Sequence, residues 1–404
     1  MADGADRTIE DFRQDVRAWV DVNFPPDLKG LGNPIMLEER PKPTEEQVAW
    51  RKAVGEKGWG TPTWPSEYGG AGLSSAHARV IHQEFARAGA HNPIGGMGVM
   101  MFGPTLLEYG NEEQKAEYIP AICKAEVRWC QGYSEPGSGS DLASLQMRAV
   151  RDGDHYVLNG SKIWTTHAQW ADWMFCLVRT SNEDIRQKGI SFLLIDMKTP
   201  GIEVRRITTL EGGHEVNDVF LDNVKVPVEN RIFHENQGWT CAKALLAHER
   251  SGIAGVARSK RGLERVREIA STEQSDMGGP LLADPFFKRK VAELEIDLTA
   301  LEFTELRTLA GESSGKGPGP ESSILKIKGT EIQQRLTELA LEASGHYGAP
   351  YLRDLGGNAE ARVRDLDAGD VDDVGVPAQR LLDLDEAQRG QSGQVRRWRP
   401  VWPG

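Results

Sequence analysis

The hydrophobic period changes twice along the chain, and no other feature restricts its possible folds as strongly. Up to about residue 130 apolar residues recur every three or four positions, the spacing of one helix face. Ile9, Phe12, Val16, Trp19 and Val20 form such a stripe after Thr8, and Pro25-Pro26 ends it. Thr44 with Gln47 and Asn111 with Gln114 have capping-box spacing and predict two more helix starts. Gly95-Gly96-Met97-Gly98 lies outside any strand-to-helix turn, and we read it as a helix-packing segment.

From residue 130 the pattern is that of strands. Asp152-Gly153 and Asn159-Gly160 are both type I′ hairpin signals and predict a short strand between them, residues 155–158. Further strands are predicted at 173–178, 190–195 and 219–226, which suits a barrel or sandwich. Beyond Gly238 the helical period returns. Trp239, Ala242, Leu246, Glu249, Ile253 and Val256 share one face, continued by Leu263 and Val266. Asp284-Pro285 is an N-cap followed by an N1 proline before a second long helix, residues 311–322 read as a linker, and a third helix is expected from about 323 to 345. The expected class is therefore mainly α with a central β domain. Its parts are an N-terminal α-helical domain (1–129), a middle β-barrel or sandwich (130–237), a C-terminal helical bundle (238–357) and an atypical tail (358–404).

Composition narrows the function. Lys and Arg number 48 against 60 Asp and Glu, a net charge of −12, which repels nucleic acid, and no basic patch precedes residue 396. No apolar run approaches the roughly 20 residues of a membrane-spanning helix. The start, MADGADRTIEDF, lacks the layout of a secretion signal or transit peptide, so a cytoplasmic location is expected. Cys123, Cys130, Cys176 and Cys241 show no CxxC pairing; buried thiols are expected, and no metal site.

Two segments carry candidate chemistry. Residues 130–141, CQGYSEPGSGSD, form a loop dense in glycine and hydroxyl groups, suited to bringing backbone N–H groups and serine hydroxyls to a phosphate. Such loops are also ordinary turns. Glu249 is the second candidate. It sits on an otherwise apolar helical stripe, where a carboxylate is costly unless it is paired, by Arg250 for instance, or functional.

The ordered motifs SEPGSGSDLASL (134–145), DGDHYVLNGSKIWTT (152–166) and Ala171-Asp172 resemble the acyl-CoA dehydrogenase flavoproteins. LLEYGNEEQKAEYIPAI (106–122) and NVKVPVENRI (223–232) are similar to the family's stretches before the flavin loop and after the β domain. The resemblance covers about residues 8–357 and implies FAD, held between the β domain and the helical bundle. Carried over by position, Gln131, Tyr133, Ser134, Gly139 and Ser140 would line the flavin and pyrophosphate, Trp164 would pack on the flavin, and Thr165 and Thr166 would lie beside it. Ser140 and Arg250 would also contact acyl-CoA. AHERSG (247–252) matches the family's helix-borne base, so Glu249 would abstract the α proton while the β hydride passes to flavin N5. The implied partners are an acyl-CoA substrate, an electron-transfer flavoprotein and further copies of the chain in a homodimer or homotetramer.

The chain departs from the family's pattern at 271–280, where STEQSDMGGP replaces an Arg-xx-Phe-Gly segment, and at Ser344-Gly345-His346-Tyr347-Gly348, which alters a glycine-rich contact. Residues 359–404 hold seven arginines but no Lys, Ile, Phe or Met, so they are expected to be either a disordered tail or a segment translated from a shifted reading frame. A cofactor-poor, non-catalytic chain and an oxygen-using oxidase therefore stand beside the dehydrogenase as readings of the sequence.

Overall fold

The computed structural model describes residues 8–29, 42–209, 213–252, 254–276, 278–313 and 321–345. The chain divides into two compact units, residues 1–246 and 247–404.

The first unit opens with helices whose starts are set locally. Helix α1 (Ile9–Asn23) begins at Thr8, whose side chain accepts from the Asp11 N–H while the Asp11 carboxylate takes the Thr8 N–H. The same reciprocal box starts α2 (Glu45–Glu56) at Thr44 and Gln47. Helix α3 (Ser75–Ala88) is capped by Ser74. A π-helical turn, Gly98–Phe102, leads into α4 (Gly103–Tyr109), and α5 (Glu112–Cys123) starts with a box of Asn111 and Gln114. Val16, Val20, Trp50, Val54, Ile81 and Phe85 close a core between α1, α2 and α3. Gly98 is a packing residue as expected: a Cβ there would lie 2.9 Å from Trp129 Cδ1.

Eight strands among the described residues form one sheet: β1 (Trp129–Gly132), β2 (Arg148–Asp152), β3 (His155–Thr166), β4 (Trp173–Arg179), β5 (Ile190–Asp196), β6 (Ile202–Arg206), β7 (Val216–Pro227) and β8 (Arg231–Ile232). The order is β6-β7-β3-β2-β4-β5-β8, with β1 pairing parallel to β4. Only one of the two expected hairpin turns forms. The Asp152-Gly153 turn does join β2 to β3, with Asp152 opposite His155 and Gly153 at φ 63°. Asn159-Gly160 makes no second turn, because β3 runs straight through it. Opposite it, β7 carries an extra residue between the pairs Leu158–Val224 and Gly160–Leu221, and Asn223 takes the left-handed conformation, φ 53°. The Asn159 side chain accepts from the Asn223 N–H at 2.9 Å, so this Asn serves a bulge.

The expected continuous stripe from Trp239 to Val266 is also divided. Helix α6 (Gly238–Gly252) ends before Gly255, which adopts φ 61° and caps a new helix, α7 (Val256–Thr272). In α6, Cys241, Ala242 and Leu245 are buried in the core of the first unit.

In the second unit α7 packs with α8 (Pro285–Ser313) and α9 (Glu321–Ser344). The Asp284 carboxylate accepts from the Phe286 and Phe287 N–H groups, as an N-cap should. Phe287, Val291, Leu294, Leu298 and Leu301 form the buried apolar face of α8. Helix α8 extends to Ser313, so the predicted linker begins inside it; its residues 314–320, and the tail, lie outside the described residues. All four cysteines are free and buried. Among the described residues no helix is long and apolar enough to cross a membrane, and no group of acidic, His or Cys side chains is placed to hold a metal ion.

Candidate functional site

The loop that follows β1 and the distal half of β3 are about thirty residues apart in sequence and adjacent in space. β1 carries Gln131 beside Phe175 of β4, and Tyr133 packs edge-on to the Phe175 ring. The Ser134 carbonyl then accepts the Ile163 N–H at 2.9 Å, which sets this loop against β3 one residue before Trp164. Glu135 and Ser138 exchange backbone hydrogen bonds of 2.8 and 2.9 Å across a tight turn, and the buried Ser138 hydroxyl donates to the carbonyls of Asp141 and Leu142. Gly139 and Ser140 lie exposed at the loop's far end.

The other side of the site is a bulge. β3 and β7 are in register at Lys162–Val219 and again at Thr165–Asn217, so β3 has one residue more than its partner between those pairs. Trp164 lies in that interval with φ 60°, and its side chain is 45% exposed. A left-handed backbone is strained for a bulky residue, and bulges commonly re-aim a side chain next to a functional site. Thr165, its neighbour, is buried, and Thr166 half-buried. His167 follows at φ 57°; burial, reinforced by the Arg128 guanidinium, holds its imidazole below the usual range and hence neutral at pH 7.

The residues fit a planar, hydrogen-bonding and phosphorylated guest. Gln131 Nε2 and Thr165 Oγ1 are buried without a hydrogen-bond partner, a cost that a bound polar ligand would remove. A Cβ at Gly137 or Gly139 would meet nothing within 4 Å and neither residue has a left-handed φ, so the chain's own packing does not call for glycine there, whereas close approach of a ligand would. Gln131, Tyr133, Ser134, Trp164, Thr165 and Thr166 are thus brought into one region of the first unit, with Gly139 and Ser140 at its edge. Glu249 and Arg250 lie on α6, but their side chains are outside the described residues.

Two residues for which the sequence suggested no role stand under this region. Lys162 is 0% exposed and occupies an inward position of β3, in alternation with Tyr156 and Leu158. A lysine in that register was the readable signal. Its partner Glu135 lies in the loop.

Comparison with known proteins follows the same order along the chain. Residues 6–126, 130–224 and 236–369 match the models of the acyl-CoA dehydrogenase N-terminal, middle and C-terminal domains. The chain is 34% identical over 343 residues to acyl-CoA dehydrogenase IpdE1 of Mycobacterium tuberculosis, spanning 84% of this chain and 87% of that protein. Among solved structures, a variant of the Tcur3481-Tcur3483 steroid ACAD superposes with a TM-score of 0.70 at 30% identity, covering 95% of this chain and 98% of that one. The ChsE4-ChsE5 complex from Mycobacterium tuberculosis gives 0.67 at 28% identity, covering 98% and 100%.

Proposed function

The chain belongs to the acyl-CoA dehydrogenase family and is an oxidoreductase of that kind; from this premise we propose that it binds FAD at the junction of the 131–140 loop with β3 and introduces a double bond between the α and β carbons of an acyl-CoA thioester. The observation that carries the reading is the Ser134–Ile163 hydrogen bond, which sets the glycine- and hydroxyl-rich loop beside the strained, exposed Trp164. FAD, when bound, supplies the acceptor for the hydride that leaves the β carbon.

The chain's own residues supply the rest. Gln131 and Thr165 offer buried donors, Tyr133, Ser134 and Thr166 complete the lining, and Gly139 and Ser140 let backbone and hydroxyl groups approach a pyrophosphate. Trp164 presents its ring to a planar guest. Ser140 and Arg250 contact the acyl-CoA. Glu249 removes the α proton, as a general base on α6. Electrons then pass to an electron-transfer flavoprotein. The working form is a cytoplasmic homodimer or homotetramer, although the solved relatives named above pair two different chains in their names.

Glu249→Gln tests the mechanism. The amide keeps the shape and cannot accept the proton, so the variant should bind FAD and acyl-CoA but fail to bleach the flavin absorbance. Bleaching at the wild-type rate would remove Glu249 from the reaction. The substrate panel runs from short to long straight chains and includes a steroid-derived CoA thioester, because the name of one solved relative specifies a steroid. Peroxide formed without an added acceptor would replace the dehydrogenase with an oxidase.

A further inference from the structure

The three ammonium protons of Lys162 are all committed. Nζ donates to Glu135 Oε1 at 2.8 Å, to the Leu177 carbonyl at 2.7 Å and to the Tyr133 carbonyl at 3.2 Å. Glu135 is as fully engaged. Its Oε1 also accepts the Met147 N–H at 3.0 Å, and its Oε2 the Gln146 N–H at 2.7 Å. Lys162 is 0% and Glu135 9% exposed, so both charges have exchanged water for fixed protein partners.

Such a pair is a poor way to gain stability, because desolvation consumes most of the attraction, and apolar residues of similar volume often do as well. What it provides is directional: five bonds converge on two side chains and join four segments. These are the loop at 133 and 135, β3 at 162, β4 at 177 and the chain entering β2 at 146–147. The joined loop is the one that carries Ser134, Gly139 and Ser140, and Lys162 lies two residues before Trp164.

We propose that Lys162 and Glu135 are positioning residues, a buried latch that sets the conformation of the 133–140 loop relative to Trp164 and thereby the affinity and electronic environment of the flavin. The proposal rests on FAD binding at this loop. Neither residue touches the reacting atoms; the latch acts through the backbone of Tyr133 to Ser138.

The test uses the full-length protein and FAD as the probe. In the unmodified protein the Gln146 and Met147 amides, both bonded to a carboxylate, should exchange slowly with deuterium. In Glu135→Gln the amide NH2 must face either the Gln146 N–H or the Lys162 ammonium. Exchange at 146–147 should then rise about tenfold or more, the FAD dissociation constant should rise by a similar factor, and the visible spectrum of bound flavin should shift. A Lys162→Met/Glu135→Leu double variant removes both charges and leaves no lone buried ion; stranding the Gln146 and Met147 amides should lower its melting temperature without preventing folding, and it should show the same loss of FAD affinity. Unchanged FAD affinity and spectrum in both variants, with only the melting temperature altered, would overturn the proposal and leave the pair structural. Rapid exchange at 146–147 in the unmodified protein would overturn it as well. Absence of FAD binding by the unmodified protein would instead refute the cofactor reading, and the exchange data would then decide alone whether the latch holds the loop.

Discussion

Asn217 Nδ2 donates to the carbonyl of Thr165 at 3.1 Å, tying the start of β7 to the far end of β3 at the point where β3 has just bulged. The same nitrogen donates to Gln169 Oε1 at 2.6 Å, Oδ1 lies 2.8 Å from His214 Nε2, and the residue is 0% exposed. Asn217→Leu keeps the volume and removes every one of these bonds. It should cost about 2–3 kcal/mol, the penalty for stranding several buried polar groups, read by denaturant unfolding. A loss under about 0.5 kcal/mol would show that the neighbours find other partners.

Trp164→Ala separates strain from binding. The side chain is nearly half exposed, so the protein without ligand should keep its stability, and Trp164→Gly should be up to about 1 kcal/mol more stable than the alanine variant because glycine adopts φ 60° without strain. Both variants should bind FAD about tenfold or more weakly, since a stacked aromatic contact is lost. Fluorescence titration with FAD checks this, and an unchanged affinity would make Trp164 an ordinary surface residue.

Glycines of different origin should respond differently to the same substitution. A Cβ at Gly103 would sit 2.1 Å from Trp64 Cη2, so Gly103→Ala should destabilise by about 1–3 kcal/mol through overpacking. Gly139→Ala meets nothing within 4 Å and should leave the melting temperature unchanged while weakening FAD binding. Equal effects of Gly139→Ala on melting with and without FAD would exclude a pyrophosphate beside it.

Acid should loosen the α1–α3 contact first. Glu84 on α3 is 2% exposed and receives Arg17, Arg87 and Arg13; the Arg17 hydrogen bonds lead in holding its carboxyl at about 2, well below the ordinary 4.5. A depressed carboxylate contributes stability that is complete above its unfolded value and is lost as pH falls from about 4.5 to about 2. The cluster's contribution should be on the order of 2 kcal/mol, limited by solvent around the partly exposed arginines. Glu84→Gln should therefore be less stable than wild type at pH 7, with the difference shrinking across that window in pH-dependent thermal unfolding. A constant difference would place the acid sensitivity elsewhere.

Several helix starts, four of the eight described strands and the loop's chemical character were legible in the sequence because each depends on residues close to one another. A capping box spans only four residues, and Thr8, Thr44 and Asn111 each began one. The family's motifs were equally legible, since they are short runs. What escaped was set across distance. Whether Asn159-Gly160 turns the chain or continues β3 depends on Asn223, 64 residues away, which supplies the bulge opposite it. The apolar stripe running past Glu249 could not show that the helix breaks before Gly255, because helical spacing continues on paper across a residue that takes a left-handed φ. Lys162 was the subtlest case. Its type marks it as a surface residue, and only the register of β3, with Glu135 folded back 27 positions earlier in the chain, makes burying its charge possible. Local propensity thus determined which elements form, while the pairing of distant backbones decided where the bulges fall, which charges lie inside and how the candidate site is held.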